Sequence, residues 1–157
     1  MVAKVVEAKK TIEKIEYTFA VGKRKEAVAR VRLYKVVKDG MSWGETVIKK
    51  GDIVVNEKAI SEYFPGDINR FRYTEPLRVA NAQNKYTITV RVVGGGQFGQ
   101  LDAVVAGISN ALAKEDKDNY RSILKKEGFL TRDSRIRERR KVGTGGKARR
   151  AKQSPKR

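Results

Sequence analysis

The chain has 157 residues, room for one domain with extensions, and 39% of them are apolar, enough to build a packed core. Its 36 Lys and Arg against 18 Asp and Glu leave a net charge of +18, which repels itself and needs a polyanion, nucleic acid first and an anionic membrane second. Cysteine and histidine are both absent, which excludes disulfides, thiolate or imidazole metal sites and Ser-His or Cys-His nucleophile pairs.

In chain order, residues 1–16 form an N-terminal extension. Val5, Ala8, Ile12 and Ile15 share one helical face among charges, which suggests a short marginal helix or a disordered arm. The extension holds no apolar signal-peptide core, and no uncharged run approaches the ~20 residues that cross a bilayer. A cytoplasmic protein kept in a reducing compartment is expected, with no membrane partner.

Residues 17–130 read as the globular body. Tyr17 to Val21 is a short strand, followed by a basic turn, Gly22-Lys23-Arg24-Lys25. Ala27 to Val37 alternates with period two, Ala27, Ala29, Val31 and Leu33 facing one way and Arg30 and Arg32 the other, the mark of a half-buried strand. Lys38 to Gly44 is a turn, and Ile53 to Val55 a third strand ended by Asn56-Glu57. Ala59 to Phe64 is a helical turn stopped by Pro65-Gly66, and Glu75 to Ala80 another short helix. Tyr86 to Val93 alternates again, with Tyr86, Ile88, Val90 and Val92 on a face opposite Thr87, Thr89 and Arg91, and ends in Gly94-Gly95-Gly96. Leu101, Val104, Val105, Ile108 and Leu112 then mark an amphipathic helix. A last helix carries Tyr120, Ile123 and Leu124, with Asp116 or Asp118 as N-cap and Gly128 at C′. Four strands with two longer helices late in the chain predict an α+β sandwich: a mostly antiparallel four-stranded sheet with the helices on one face. Arg30, Arg32 and Arg91 would then stand on the other face, a surface suited to RNA or phosphate.

Two glycine motifs invite a nucleotide reading and fail it. Gly94-Gly95-Gly96-Gln97-Phe98-Gly99 fits G-x-G-x-x-G between a strand and a helix. That fingerprint belongs to a parallel α/β array, and no later strand completes one here. A strand-to-helix turn with close backbone approach accounts for the glycines, and the helix N-terminus beyond it suits an RNA phosphate, met at Gly94, Gly95, Gly96 and Gln97. Gly143-Thr144-Gly145-Gly146-Lys147-Ala148 is half a P-loop, with Lys141 at the first glycine position and Ala148 where a hydroxyl should bind Mg²⁺. The carboxylates are explained by helix capping (Glu115, Asp116, Asp118) and by pairing among arginines (Asp133, Glu138). Neither an enzyme nor a cofactor or small-molecule substrate is expected.

Residues 131–157 form an extended basic tail. Twelve Lys and Arg against Asp133 and Glu138 give it a net charge of +10, with Ile136 and Val142 its only large aliphatics. It cannot bury enough surface to offset an ordering cost of ~1–2 kcal/mol per residue, so it should stay extended until an anion orders it. Arg132, Arg135, Arg137, Arg139, Arg140 and Lys141 form one cluster. Lys147, Arg149, Arg150 and Lys152 form a second, and Lys156 and Arg157 end the chain. Arginine forks grip phosphates bidentately, and an extended chain threads between RNA helices where a globule cannot. The same charge would serve a free architectural DNA-binding protein, although no recognition helix stands out.

Several stretches resemble, in collinear order over residues 17–157, the small-subunit ribosomal protein S-nine family, in its bacterial or organellar form. They are Gly22 to Val31, Val54-Val55-Asn56, Tyr63-Phe64, Val90 to Gly96, Gly99-Gln100, Gly107-Ile108, Ala111-Leu112, Leu130 to Arg135, Glu138 to Lys141, Lys147 to Arg150 and the final Lys156-Arg157. The resemblance implies the α+β fold of the ribosomal S-five second-domain type, with its left-handed βαβ crossover. It implies a globule bound to rRNA of the small-subunit head beside neighbouring head proteins, with Lys23, Arg24 and Lys25 among the contacts. It further implies a tail reaching the peptidyl site, where Lys156 and Arg157 meet the tRNA. Asn110 stands where the family usually has Arg, and residues 1–16 and 39–50 have no counterpart.

Overall fold

The computed structural model describes residues 16–35, 42–43 and 46–139. Strands β1 (Thr18–Arg24) and β2 (Ala27–Tyr34) form an antiparallel hairpin running from Thr18 opposite Leu33 to Arg24 opposite Ala27. Lys25-Glu26 is the hairpin turn, with Lys25 at φ +51°. The basic turn expected at Gly22 to Lys25 is therefore corrected: Gly22, Lys23 and Arg24 lie in the strand. Gly22 breaks nothing because its missing side chain is needed for helix packing. A Cβ there would sit 1.9 Å from the Ala103 carbonyl oxygen and 2.4 Å from the Gly107 nitrogen. A glycine inside a strand marks close backbone approach as readily as a turn.

Two short strands, β3 (Ser42–Trp43) and β4 (Thr46–Val47), pair antiparallel. The turn expected over Lys38 to Gly44 lies mostly outside the described residues, and Ser42 and Trp43 within it are strand. β5 (Ile53–Val55) turns at Asn56-Glu57 into β6 (Lys58–Ala59), and α1 (Ile60–Tyr63) follows. α2 (Asp67–Val79) then leads to β7 (Thr87–Val93). The main sheet has the order β1-β2-β7-β5-β6. It is antiparallel except for the parallel pair β5–β7. It thus has five strands rather than four, the fifth being the two-residue edge β6, too short to show a period.

α2 is also longer than expected. It begins at Asp67, eight residues before Glu75, and Pro76 lies inside the helix. Tyr73 and Leu77 are buried while Ile68 and Phe71 face out, so apolar residues lie on both sides and the helical period is blurred.

α3 (Gln97–Glu115) covers β1 and β2 and carries the core, with Leu101, Val104, Ile108 and Leu112 buried as its spacing requires. Each such side chain contributes about 1.5–3 kcal/mol. α4 (Lys117–Lys126) packs Leu124 inward. Asp116 is its N-cap: it accepts the Asn119 backbone N–H at 3.1 Å and the Asn119 amide at 2.6 Å, which hold its carboxyl below the usual range. Gly128, at φ +80°, ends the helix, and Phe129 and Leu130 fold back against the core. The α+β class stands, with α2 as a third long helix in the layer.

The sheet's second face is not wholly open. Thr87 and Thr89, expected to face outward, are buried there with Tyr34, Ile48 and Val54. The Thr87 hydroxyl donates to the Lys49 carbonyl at 3.2 Å and accepts the Gly51 N–H at 3.1 Å. Among the described residues, the half of this face around Arg30 and Arg91 is exposed.

Candidate nucleic-acid interface

The β2–β7 register sets Arg30 directly opposite Arg91 on the open face. Both are exposed, and neither has an ion pair among the described residues. Like charges in that position destabilise a sheet unless an anion lies between them. Arg32, two residues further, stacks over the Tyr17 ring at 5.1 Å. Lys23 stands on the neighbouring strand, exposed and in register with Val28.

At one end of the sheet the β1–β2 turn meets the glycine turn. A Cβ on Gly94 (φ +77°) would come within 2.5 Å of the Glu26 carbonyl, and one on Gly95 (φ +67°) within 2.9 Å of the Ala27 Cβ. These glycines serve backbone approach, as the sequence suggested, while Gly96 has open space around it. Gly96 is the N-cap of α3, whose first turn has no side-chain cap, so its leading N–H groups face outward beside exposed Gln97 and Lys25.

A hydrogen-bonded chain holds that turn, and sequence reasoning did not find it. Asn56 continues the parallel ladder with its side chain, donating to the Val92 carbonyl at 3.0 Å and accepting the Val92 N–H at 2.9 Å. Its amide also donates to the Tyr63 hydroxyl at 3.3 Å; Tyr63 donates to Gln100 at 3.0 Å, and Gln100 donates to the Gly94 carbonyl at 3.1 Å. The only sequence signal was the reappearance of Asn56, Tyr63 and Gln100 within the matching stretches.

Arg24 has a role the sequence did not show. Its side chain is only 16% exposed and bridges three elements. It pairs with Asp102 of α3 at 3.7 Å and with Asp133 at 3.0 Å, and it donates to the Arg135 carbonyl at 2.7 Å. Arg72 of α2 closes the cluster on Asp102 at 3.1 Å. Arg135 grips both Asp133 carboxylate oxygens, at 2.7–3.1 Å, and these bonds hold the Asp133 carboxyl far below the usual range. The pairing expected for Asp133 is thus present, and its Arg24 partner also ties the start of the basic segment to the body. Arg24 is largely buried in this bracket, whereas Arg132, Arg135, Arg137 and Arg139 are exposed, Arg135 with its guanidinium on Asp133. Arg140, Lys141, Lys147, Arg149, Arg150, Lys152, Lys156 and Arg157 lie outside the described residues, as does the helix expected in the N-terminal extension.

Beside the bracket, Val21, Lys23, Asn110, Phe129, Leu130 and Arg132 line much of a shallow pocket of about 150 Å³. The Asn110 amide donates to the Val21 carbonyl at 3.4 Å. Among the described residues no group of acids could hold a metal ion, and no helix is long and apolar enough to cross a membrane.

An α+β sandwich with opposed arginines on its open sheet face, an uncapped helix start beside them and a cationic segment bracketed to the same end has the build of a protein component of a ribonucleoprotein. The sequence profile described as Ribosomal protein S9/S16 matches residues 22–157. The Small ribosomal subunit protein uS9 of Leifsonia xyli subsp. xyli (strain CTCB07) is 42% identical over 138 residues, covering 88% of this chain and 74% of that protein. The chain belongs to the ribosomal protein S9/S16 family and is a structural, non-enzymatic constituent of the small subunit of the cytoplasmic ribosome. Membership of the small subunit implies small-subunit rRNA and other ribosomal proteins as its partners.

Proposed function

We propose that this chain binds rRNA of the subunit head through three adjoining surfaces and reaches the peptidyl-site tRNA with its tail. The sheet face supplies Arg30, Arg32 and Arg91. The turn region supplies Lys23, Lys25 and the α3 N-terminus at Gly94, Gly95, Gly96 and Gln97. The basic segment supplies Arg132, Arg137 and Arg139, and beyond them the tail cations from Arg140 to Lys152. Exposed Arg135 belongs with these cations, while Arg24 acts indirectly, by fixing where that segment leaves the body.

The observation that carries the reading is Arg30 facing Arg91 without an acid between them. A phosphate is the group that turns this repulsion into a bidentate site. The test is filter binding of the full chain to an rRNA fragment of the head over a salt series. The double variant Arg30→Ala/Arg91→Ala should flatten the log–log slope by roughly 0.7–0.9, the value for the one phosphate the pair would share. An unchanged slope refutes the sheet-face contact. For the tail, Lys156→Ala/Arg157→Ala should leave subunit assembly intact and speed tRNA dissociation from the peptidyl site; unaltered dissociation refutes the tRNA contact.

A further inference from the structure

The three most exposed large apolar side chains among the described residues are Ile68, Phe71 and Phe98, at 78%, 72% and 71%. The fold gathers them. β5 and β7 run parallel, α1 and α2 lead from the end of β5 back to the start of β7, and α3 leaves the end of β7. The two long helices therefore begin at the same end of the sheet and run the same way. The Arg72–Asp102 ion pair at 3.1 Å joins their second turns, and the Tyr63–Gln100 hydrogen bond ties α1 to the first turn of α3. Ile68 lies one turn before Arg72 and Phe98 one turn before Asp102, with Phe71 on the Ile68 face. The three form an apolar corner at the shared start of α2 and α3.

Its charge differs from the rest of the chain. On α2, Arg70, Arg72 and Arg78 stand against Asp67 and Glu75. On α3, Lys114 stands against Asp102 and Glu115, so the two helices together are neutral in a chain of +18. Arg72, next to the apolar residues on the side of α3, is paired with Asp102, and Arg70 lies about 100° or more around α2 from both Ile68 and Phe71. RNA binding needs cations for phosphates and flat side chains for bases; this corner offers no unpaired cation between its apolar residues, and Ile68 has no π face. Aromatic residues with depleted charge are what the centre of a protein interface presents.

We propose that the Ile68–Phe71–Phe98 corner docks on an apolar, weakly charged face of another protein of the small subunit. This rests on the chain's place in that subunit. The test uses full-length chain carrying a photo-crosslinking phenylalanine analogue at position 71 or 98, assembled into small subunits in cells, irradiated and digested with nuclease. The expected result is an adduct from both positions to one and the same small-subunit protein, identified by mass spectrometry. An adduct to rRNA, an adduct to a second copy of this chain, or no adduct in subunits that contain the chain overturns the inference. Absence of the chain from the small-subunit fraction overturns the ribosomal reading, and the inference with it. As a second measurement, Phe71→Glu should leave the melting temperature of the free protein within about 2 °C, because the site is exposed. The same variant should reduce retention of the chain on salt-washed subunits about tenfold or more, the size of a lost aromatic anchor; unchanged retention counts against the docking.

Discussion

Gly22→Ala offers a stringent test of the packing that supports the interface. The added Cβ would lie 1.9 Å from the Ala103 oxygen, 2.4 Å from the Gly107 nitrogen and 2.9 Å from the Gly107 Cα, all of them backbone atoms that no rotamer can move aside. Ordinary contact begins at 3.4 Å, so α3 has to retreat from β1 by about 1.5 Å, and a gap of 0.5–1 Å already forfeits a quarter to a half of the dispersion well. The cost should reach the upper end of overpacking, about 3 kcal/mol, offset by about 0.4–1 kcal/mol from the stiffer unfolded chain. For a body of this size that is a fall in Tm of roughly 10 °C or more. Gly99→Ala is the matched control. It lies within α3, where a Cβ would meet only the Arg24 oxygen at 3.6 Å and the Ala27 Cβ at 3.8 Å. There alanine should stabilise by about 0.5–1 kcal/mol through helix propensity. Urea and thermal unfolding of the free proteins measure both. A Gly22→Ala protein as stable as its parent, or two variants moving in the same direction, would refute the close strand–helix contact.

Two further outcomes follow from the ion pairs. Asp133→Asn should release the arm base and raise the rate of tryptic cleavage after Arg132 and Arg135 a few-fold in the free protein, with no change in Tm beyond a degree or two; equal cleavage would mean that the Arg24 bracket does not hold in solution. Because Arg135 and Arg24 hold the Asp133 carboxyl below its unfolded value, the bracket should be intact above the usual carboxylate range and open only as pH falls through the folded value. Burial pushes the Glu115 carboxyl up, but hydrogen bonds from Lys35 and Thr18 outweigh it and hold the group below its ordinary value. Glu115→Gln should therefore cost about 1–3 kcal/mol at neutral pH, and the difference from the parent should shrink as pH falls below the unfolded carboxylate value, read from urea midpoints at several pH values.

The legible parts of this protein were those written in local pattern. The period-two alternation of β2 and β7 put Ala29, Val31, Val90 and Val92 in the core and Arg30 and Arg91 outside. The spacing of Leu101, Val104, Ile108 and Leu112 defined α3, and Asp116 with Gly128 bounded α4. Charge counting alone marks residues 131–157 as the most cationic stretch of the sequence, because electrostatic excess needs no fold to be visible. The collinear motifs supplied the family.

Tertiary structure decided what depends on contacts between distant residues. Gly22 looked like a turn residue until a helix that begins 75 positions later came to rest on it. α2 hid because Ile68 and Phe71 on its outward face blur the stripe of Tyr73 and Leu77 on its inward one, and β6 because two residues carry no period. Arg24 read as one more phosphate-seeking cation. Only the fold brings Asp102 and Asp133 to it, across 109 positions in the second case, and turns it into the bracket of the arm. Sequence composition determines that this chain must meet a polyanion. Which cations are free to do so is settled by the acids the fold places beside them, since a charge pair depends on separation in space and not along the chain.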